Sequence, residues 1–349
     1  MIFSIIIFLL IISMLIIAHE GGHYLIARMS GIRVSEFTVG MGPAIIKKKK
    51  GDTVFALRIL PIGGACIFEG MAGEDEEEMI NDEHSFRNAS VWARIATILA
   101  GPFFNFLLAF VLALIITAFS PWNYPVVSGF PEDSAAAEAG MQEGDRILKM
   151  NGRSIHMAGE VTLLSQLNKG EEIELLVERG NEELTIRFTP RFSPEENRYY
   201  MGLYVGETGS ISGFKLIPYA WYTEKYYLDI SVTSVKMLVR GELNLNNVYG
   251  PVGMVKVVDQ TYEEVKPYGL PAVVLTMLDL AVLLSVNLGV MNLLPLPSID
   301  GGRLLFALIE LIRGKPVPAE KEGYVHLAGA IALIVLMVVV LFNDIGRFL

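Results

Sequence analysis

Long apolar stretches without a single charge constrain this chain more than any other feature. A helix needs about 20 mostly apolar residues to cross the hydrocarbon of a bilayer. Residues 2–18 carry no charge, none occurs in 95–131, and 280–299 and 327–343 are equally uncharged. One such stretch alone would suit a buried core helix. Four in one chain predict four transmembrane helices, at about residues 2–27, 91–119, 272–296 and 325–343. The composition, 52% hydrophobic and 19% charged, excludes disorder for the bulk of the chain. A net charge of −10 argues against nucleic acid as a partner. The single cysteine, Cys66, excludes an intramolecular disulfide and a cysteine-rich metal centre. The first stretch has no basic flank before it and no small-x-small cleavage site, so it reads as a span rather than a signal peptide.

Lysine and arginine in the short loops set the expected orientation. Arg28, Arg33, Lys47, Lys48, Lys49, Lys50 and Arg58 lie between spans one and two, and Arg303, Arg313, Lys315 and Lys321 between spans three and four. Both loops are therefore expected in the cytoplasm, with both termini outside. The acidic run from Glu74 to Glu83 is expected to form a solvated loop. The long segment between spans two and three then lies outside. Its first part reads as a small β-rich domain, with a turn at Asn151-Gly152 and alternating strands around 173–177 and 184–188. The aromatic-rich stretch 214–238 suits either the headgroup layer or a surface helix of that domain.

The chemistry-bearing residues sit at the inner end of span one, in His19-Glu20-Gly21-Gly22-His23. Four-residue spacing puts both imidazoles on one helix face, where they can grip a zinc ion, with Glu20 beside them to take a proton from water. A hydrolytic zinc keeps three protein ligands and one open position. Asp300 is the leading third ligand, although an aspartate there also suits a helix N-cap; His84 and His326 compete for the role. Gly101, Pro102 and Asn105 in span two read as helix-packing residues, Asn105 with a hydrogen bond to a neighbouring element. Asn292 and Pro295 suit either a kink or contact with an extended substrate backbone.

With these residues in place, the chain resembles the RseP-type site-2 proteases, which are intramembrane zinc metalloproteases. The resemblance rests on His19–His23, Gly101-Pro102-Phe103-Phe104-Asn105, Gly250-Pro251-Val252-Gly253 and the run from Asn292 to Gly301. It implies that the Gly140–Gly152 stretch belongs to an inserted PDZ domain. It further implies His19, His23 and Asp300 as ligands of Zn2+, Glu20 as general base and Asn292 as a substrate-binding residue. The loop at Gly63-Gly64 is expected to pair with unwound substrate as an added strand, and Pro295 and Pro297 to leave nearby carbonyls available. One departure stands out: Gly63-Gly64 is followed by Ala65-Cys66-Ile67, where the family commonly has Tyr-Val-Lys.

The expected architecture is a polytopic α-helical membrane protein with four spans, an extracytoplasmic β-rich PDZ-like domain and a membrane-associated cytoplasmic β-loop. Residues 1–119 form the first half of the membrane core, 120–200 the PDZ-like domain, 201–270 an interfacial linker and 271–349 the second half. The expected activity is cleavage of single-span membrane proteins, such as anti-sigma factors or signal-peptide remnants, with an upstream site-1-type protease as a candidate partner. A scaffold with a structural zinc and a transporter are the competing classes. The intact Glu20 argues against the first, and the absence of an evident inverted repeat against the second.

Overall fold

The computed structural model describes residues 2–70, 83–194, 198–242 and 249–348. All of the acidic run except Glu83 lies outside them. Two compact units result, one built from residues 1–112 and 231–349, the other from 113–230.

The first unit holds the long apolar helices. These are α1 (Ile2–Met29) and α2 (Val91–Phe119), followed late in the chain by α7 (Leu270–Asn292) and α9 (Ala319–Phe348). All four are long and apolar enough to cross a membrane. On α9, Ile334, Val335, Leu336 and Met337 are consecutive and each more than half exposed. A helix apolar around its whole girth suits lipid rather than water. The third helix differs from its expected span of 272–296, ending at Asn292 with Leu293 as its C-cap. Pro295 and Pro297 each disfavour helical backbone at the residue before them, so residues 293–299 run as irregular chain. A separate helix, α8 (Asp300–Arg313), follows. The fourth helix is longer than expected, beginning six residues before 325.

Between α1 and α2, β1 (Val34–Lys50) and β2 (Thr53–Phe68) form a hairpin bent back on itself. Residues 44–50 pair with 53–58, and Glu36 has a partner on each side, Val54 and Ile67. Segment 34–39 is therefore internal and Gly64–Phe68 lies at an edge. The lysines at 47–50 are exposed at the far end. Across α2 and α8, Arg94 and Glu310 form a largely buried ion pair. Helix α6 (Pro251–Val265) begins where Gly250 and Gly253 donate their backbone N–H groups to Asp344 of α9, at 3.1 and 2.8 Å. A buried carboxylate there satisfies the orphan donors of a helix N-terminus.

The second unit is an antiparallel sheet in the order β10-β3-β4-β6-β7, with β5 beside β4. Its strands are β3 (Trp122–Gly129), β4 (Arg146–Met150), β5 (Arg153–Ser154), β6 (Ile173–Arg179), β7 (Glu182–Phe188) and β10 (Tyr204–Gly209). β8 (Arg191–Ser193) and β9 (Arg198–Tyr200) form a separate pair, and helices α3 (Ala135–Glu138) and α4 (Ala158–Leu167) accompany the sheet. β4 turns into β5 at Asn151-Gly152, both with positive φ. Alternation on β6 buries Ile173, Leu175 and Val177 completely. Asp145, also fully buried, closes the turn before β4 with two 2.7 Å bonds from Arg179 and one of 2.9 Å from the Gln142 N–H. Burial alone would raise its carboxyl, but these donors outweigh burial and hold it below the usual carboxylate range.

Strand β10 pairs with β3, so residues 204–209 complete the sheet and are not part of a linker beginning at 201. Helix α5 (Leu216–Val239) follows. Tyr219 packs edge-on against Trp122, Tyr222 stacks on His156 at 3.7 Å, and Asp229 pairs with Arg153. One face of the aromatic stretch thus packs on the sheet unit, while Phe214, Ile217 and Trp221 stay exposed.

Glu224, on the same helix, is 5% exposed, and burial raises its carboxyl to about 7 from an ordinary 4.5. A group whose folded value is raised favours folding at low pH, and that contribution is lost as pH rises through 7. Glu224→Gln is therefore expected to raise the Tm at pH 8 and leave it nearly unchanged at pH 5, as read by thermal unfolding at the two pH values.

Candidate metal centre

Helical spacing alone brings His19 and His23 together, and their Nε2 atoms lie 3.3 Å apart. The tertiary fold adds Asp300, the first residue of α8, whose Oδ2 lies 3.1 Å from His19 Nε2 and 3.3 Å from His23 Nε2. Ile299 occupies the N-cap position of α8, with no side-chain cap bond. Asp300 therefore points at the histidines from inside the helix and is not its cap. Among the described residues these three form the one cluster of metal-type donors.

The spacing fits a metal. Four ligands about 2.0 Å from a tetrahedral zinc are separated from one another by about 3.3 Å. His23 Nδ1 lies 2.8 Å from the Thr97 carbonyl oxygen and can only donate to it, so its Nε2 carries a lone pair. Asp300 Oδ2 is buried and without a hydrogen-bond partner. Buried lone pairs converging in this way call for a cation between them. Two imidazoles and a carboxylate are also the donor count of a catalytic zinc site with one open position.

Glu20 lines the same cavity, of about 330 Å³, with Gly64, Cys66 and Arg303. Gly64 presses on α1, since a Cβ there would lie 2.6 Å from Ile16 Cγ2 and 3.0 Å from Glu20 Cγ. Gly63, with φ +80°, occupies backbone that favours glycine. Burial, with the Glu20 carboxylate nearby, pushes the Cys66 thiol far above its ordinary value, so it is a neutral wall of the cavity and no nucleophile.

Gly101 is where α2 meets the imidazoles. A Cβ there would lie 2.6 Å from His23 Cε1 and 2.8 Å from His19 Cε1, and closer still to His23 Nε2. Pro102 follows within α2. Gly101→Ala is expected to lower zinc affinity and activity together, with the fold retained. Zinc titration and far-UV circular dichroism of the purified variant check this.

Asn105 Nδ2 lies 3.0 Å from His19 Nδ1, and Asn292 Nδ2 lies 3.4 Å from His19 Nε2. The competing histidines are engaged elsewhere. His84 Nδ1 donates to the Gly31 carbonyl, and His326 Nδ1 accepts from the Ser298 N–H, tying the irregular segment after α7 to α9. Pro295 and Pro297 belong to that segment, one side of which leads into Asp300. Sequence reasoning missed Arg303, the Thr97 carbonyl and Asp344. Arg303 follows Asp300 by three residues and Asp344 is a charge just past an apolar run, and both could have been singled out. A backbone carbonyl leaves no trace in sequence.

The chain matches the model of Peptidase family M50 over residues 7–336. It is 30% identical to the Regulator of sigma-W protease RasP of Bacillus subtilis, covering 99% of this chain and 98% of that protein. It is 32% identical to the Zinc metalloprotease RasP of Bacillus licheniformis, covering 99% of each. A solved PDZ domain of the SdrC-like protein from Listeria monocytogenes aligns with 24% of the chain, at 16% identity and a TM-score of 0.22.

Proposed function

This chain belongs to Peptidase family M50, the site-2 proteases, and on that footing we propose that His19, His23 and Asp300 hold its zinc and Glu20 moves the protons. It is a membrane protein and a zinc metalloprotease. The observation that carries the residue assignment is the convergence of two Nε2 atoms and one Oδ2 at tetrahedral-edge distances, beside a carboxylate lining the same cavity. Zinc, when bound, acidifies water and polarises the scissile carbonyl. Glu20 accepts the proton of the attacking water and delivers it to the leaving amine.

The substrates we propose are single-span membrane proteins, of the anti-sigma factor or signal-peptide remnant kind, cut within the bilayer toward its cytoplasmic side. Helix α1 extends ten residues beyond His19, and α2 begins ten residues before Gly101. At 1.5 Å per residue, both place the site about 15 Å from the basic loop between them. The basic loops face the cytoplasm, and both termini and the β-rich unit lie outside. That unit, taken here as a PDZ-like domain of about residues 120–209, either binds a newly made C-terminus or excludes substrates with bulky outer parts. An upstream protease would supply the former. The exposed Phe214, Ile217 and Trp221 suit the headgroup layer.

A transmembrane helix shields its own peptide bonds, so cleavage requires local unwinding and substitute hydrogen-bond partners. Gly64–Phe68 is an edge segment along the cavity, suited to pair with an unwound substrate as an added strand. Asn292 would hold a substrate backbone group from the other side, and the irregular segment containing Pro295 and Pro297 leaves carbonyls available. Glycine costs about 1 kcal/mol relative to alanine in a helix. A substrate with glycine beside the scissile bond is therefore expected to be cut about fivefold or more faster than its leucine counterpart. Single-turnover rates at matched binding decide it, and equal rates would remove unwinding as the limiting step. Cleavage by the purified protein should stop on chelation and return with zinc.

A further inference from the structure

The two histidines of α1 are held at their outer nitrogens by different groups. His23 has a backbone carbonyl, that of Thr97, at 2.8 Å from Nδ1, and the bond fixes Nε2 as the free lone pair. His19 has the side-chain amide of Asn105, 3.0 Å from its Nδ1. Asn105 is fully buried on α2, and its own backbone carbonyl accepts from Ser285 Oγ of α7 at 2.8 Å, so its position is fixed from two sides.

The hydrogen-bond accounting decides which way this amide must face. With Nδ2 toward His19, the amide donates to Nδ1 and forces the imidazole proton onto Nε2. That proton would then point at His23 Nε2 and Asp300 Oδ2, where a cation has to fit. In the same arrangement Asn105 Oδ1 is buried and receives no hydrogen bond. The two ends of a carboxamide have the same size, so turning the group by half a rotation costs no packing. The oxygen then lies at the 3.0 Å position and accepts from His19 Nδ1–H, leaving the Nε2 lone pair free. The nitrogen then takes the place where the oxygen had no donor.

We propose that Asn105 is a positioning residue for the metal centre, its side-chain oxygen accepting the His19 Nδ1–H bond and so fixing the tautomer and ring orientation with which His19 binds zinc. The proposal rests on the reading of His19 as a ligand. A partner of this kind characteristically tunes metal affinity by about 10–100-fold. It also gives the asparagine at the end of the Gly101-Pro102-Phe103-Phe104-Asn105 motif a task distinct from that of Gly101: the glycine makes room for the rings, and the asparagine turns one of them.

The test is zinc affinity, measured by chelator competition on the full-length, detergent-purified protein. The wild type is compared with His19→Ala, Asn105→Asp and Asn105→Leu. Aspartate can only accept, so Asn105→Asp is expected to keep zinc affinity within about threefold of wild type. Leucine removes the acceptor at similar size and is expected to weaken zinc by about 10–100-fold. Loss of zinc in Asn105→Asp would overturn the proposal, because an amide acting as donor is the arrangement that aspartate abolishes. Wild-type affinity in Asn105→Leu would overturn it as well, reducing Asn105 to packing. Should the leucine variant fail to fold, the aspartate variant decides alone. Undiminished zinc affinity in His19→Ala would instead remove the ligand reading, a failure distinct from that of Asn105.

Discussion

Glu20→Gln is expected to leave zinc bound and to abolish measurable cleavage. The amide keeps the shape of the carboxylate but can neither accept a proton from water nor return one to the leaving amine. General acid–base catalysis contributes about 10²–10⁴-fold, and here one side chain serves in both directions. The fall in kcat should therefore reach at least the upper part of that range. Glu20 makes none of the converging contacts among His19, His23 and Asp300, so metal content should stay at the wild-type level. Paired measurements of zinc content and single-turnover cleavage decide the matter. Near-normal turnover would take Glu20 out of the mechanism, and loss of zinc would make it a ligand.

Asp300→Ala is expected to lose zinc and activity together. Removing an N-cap would cost only about 1 kcal/mol of helix stability. The cap position belongs to Ile299, however, and the Asp300 carboxylate lies 3.1 and 3.3 Å from the two imidazoles. Two ligands hold zinc far more weakly than three, so affinity should fall by more than the 10–100-fold typical of losing an outer partner. Metal analysis of the folded variant is the readout. Full occupancy would send the search for the third ligand elsewhere. His84 and His326 are poor replacements, because both are hydrogen-bonded away from the cluster.

Much of the fold was legible because its signals are local. Runs of uncharged residues mark α1 and α2, since helix length and hydropathy need no knowledge of neighbours. Asn151-Gly152 gave the β4–β5 turn for the same reason. The end of the third long helix is not set by hydropathy. Hydropathy continues through Leu296, whereas backbone sterics at Pro295 stop the helix at Asn292. The aromatic stretch at 214–238 has two readings in sequence, and the packing of Tyr219 and Tyr222 on the sheet supports the surface-helix reading for one face of α5.

By itself the sequence determined the four apolar helices and the pairing of His19 with His23, because a four-residue interval on a helix fixes two side chains to one face whatever surrounds them. Only the tertiary structure decided which groups meet that pair. Asp300 lies 281 positions beyond His19 in the chain, and its place in the sequence, though it favours a ligand, also suits capping a helix. The fold also brought Gly101 against the imidazoles, Asn105 to His19 Nδ1, the Gly64–Phe68 edge to Glu20 and Asp344 to the start of α6. Each of these is a contact between elements distant in sequence. The physical reason is one of range: backbone and side-chain periodicity act over a few residues, whereas the convergence of lone pairs into a metal-sized space depends on how separate helices pack.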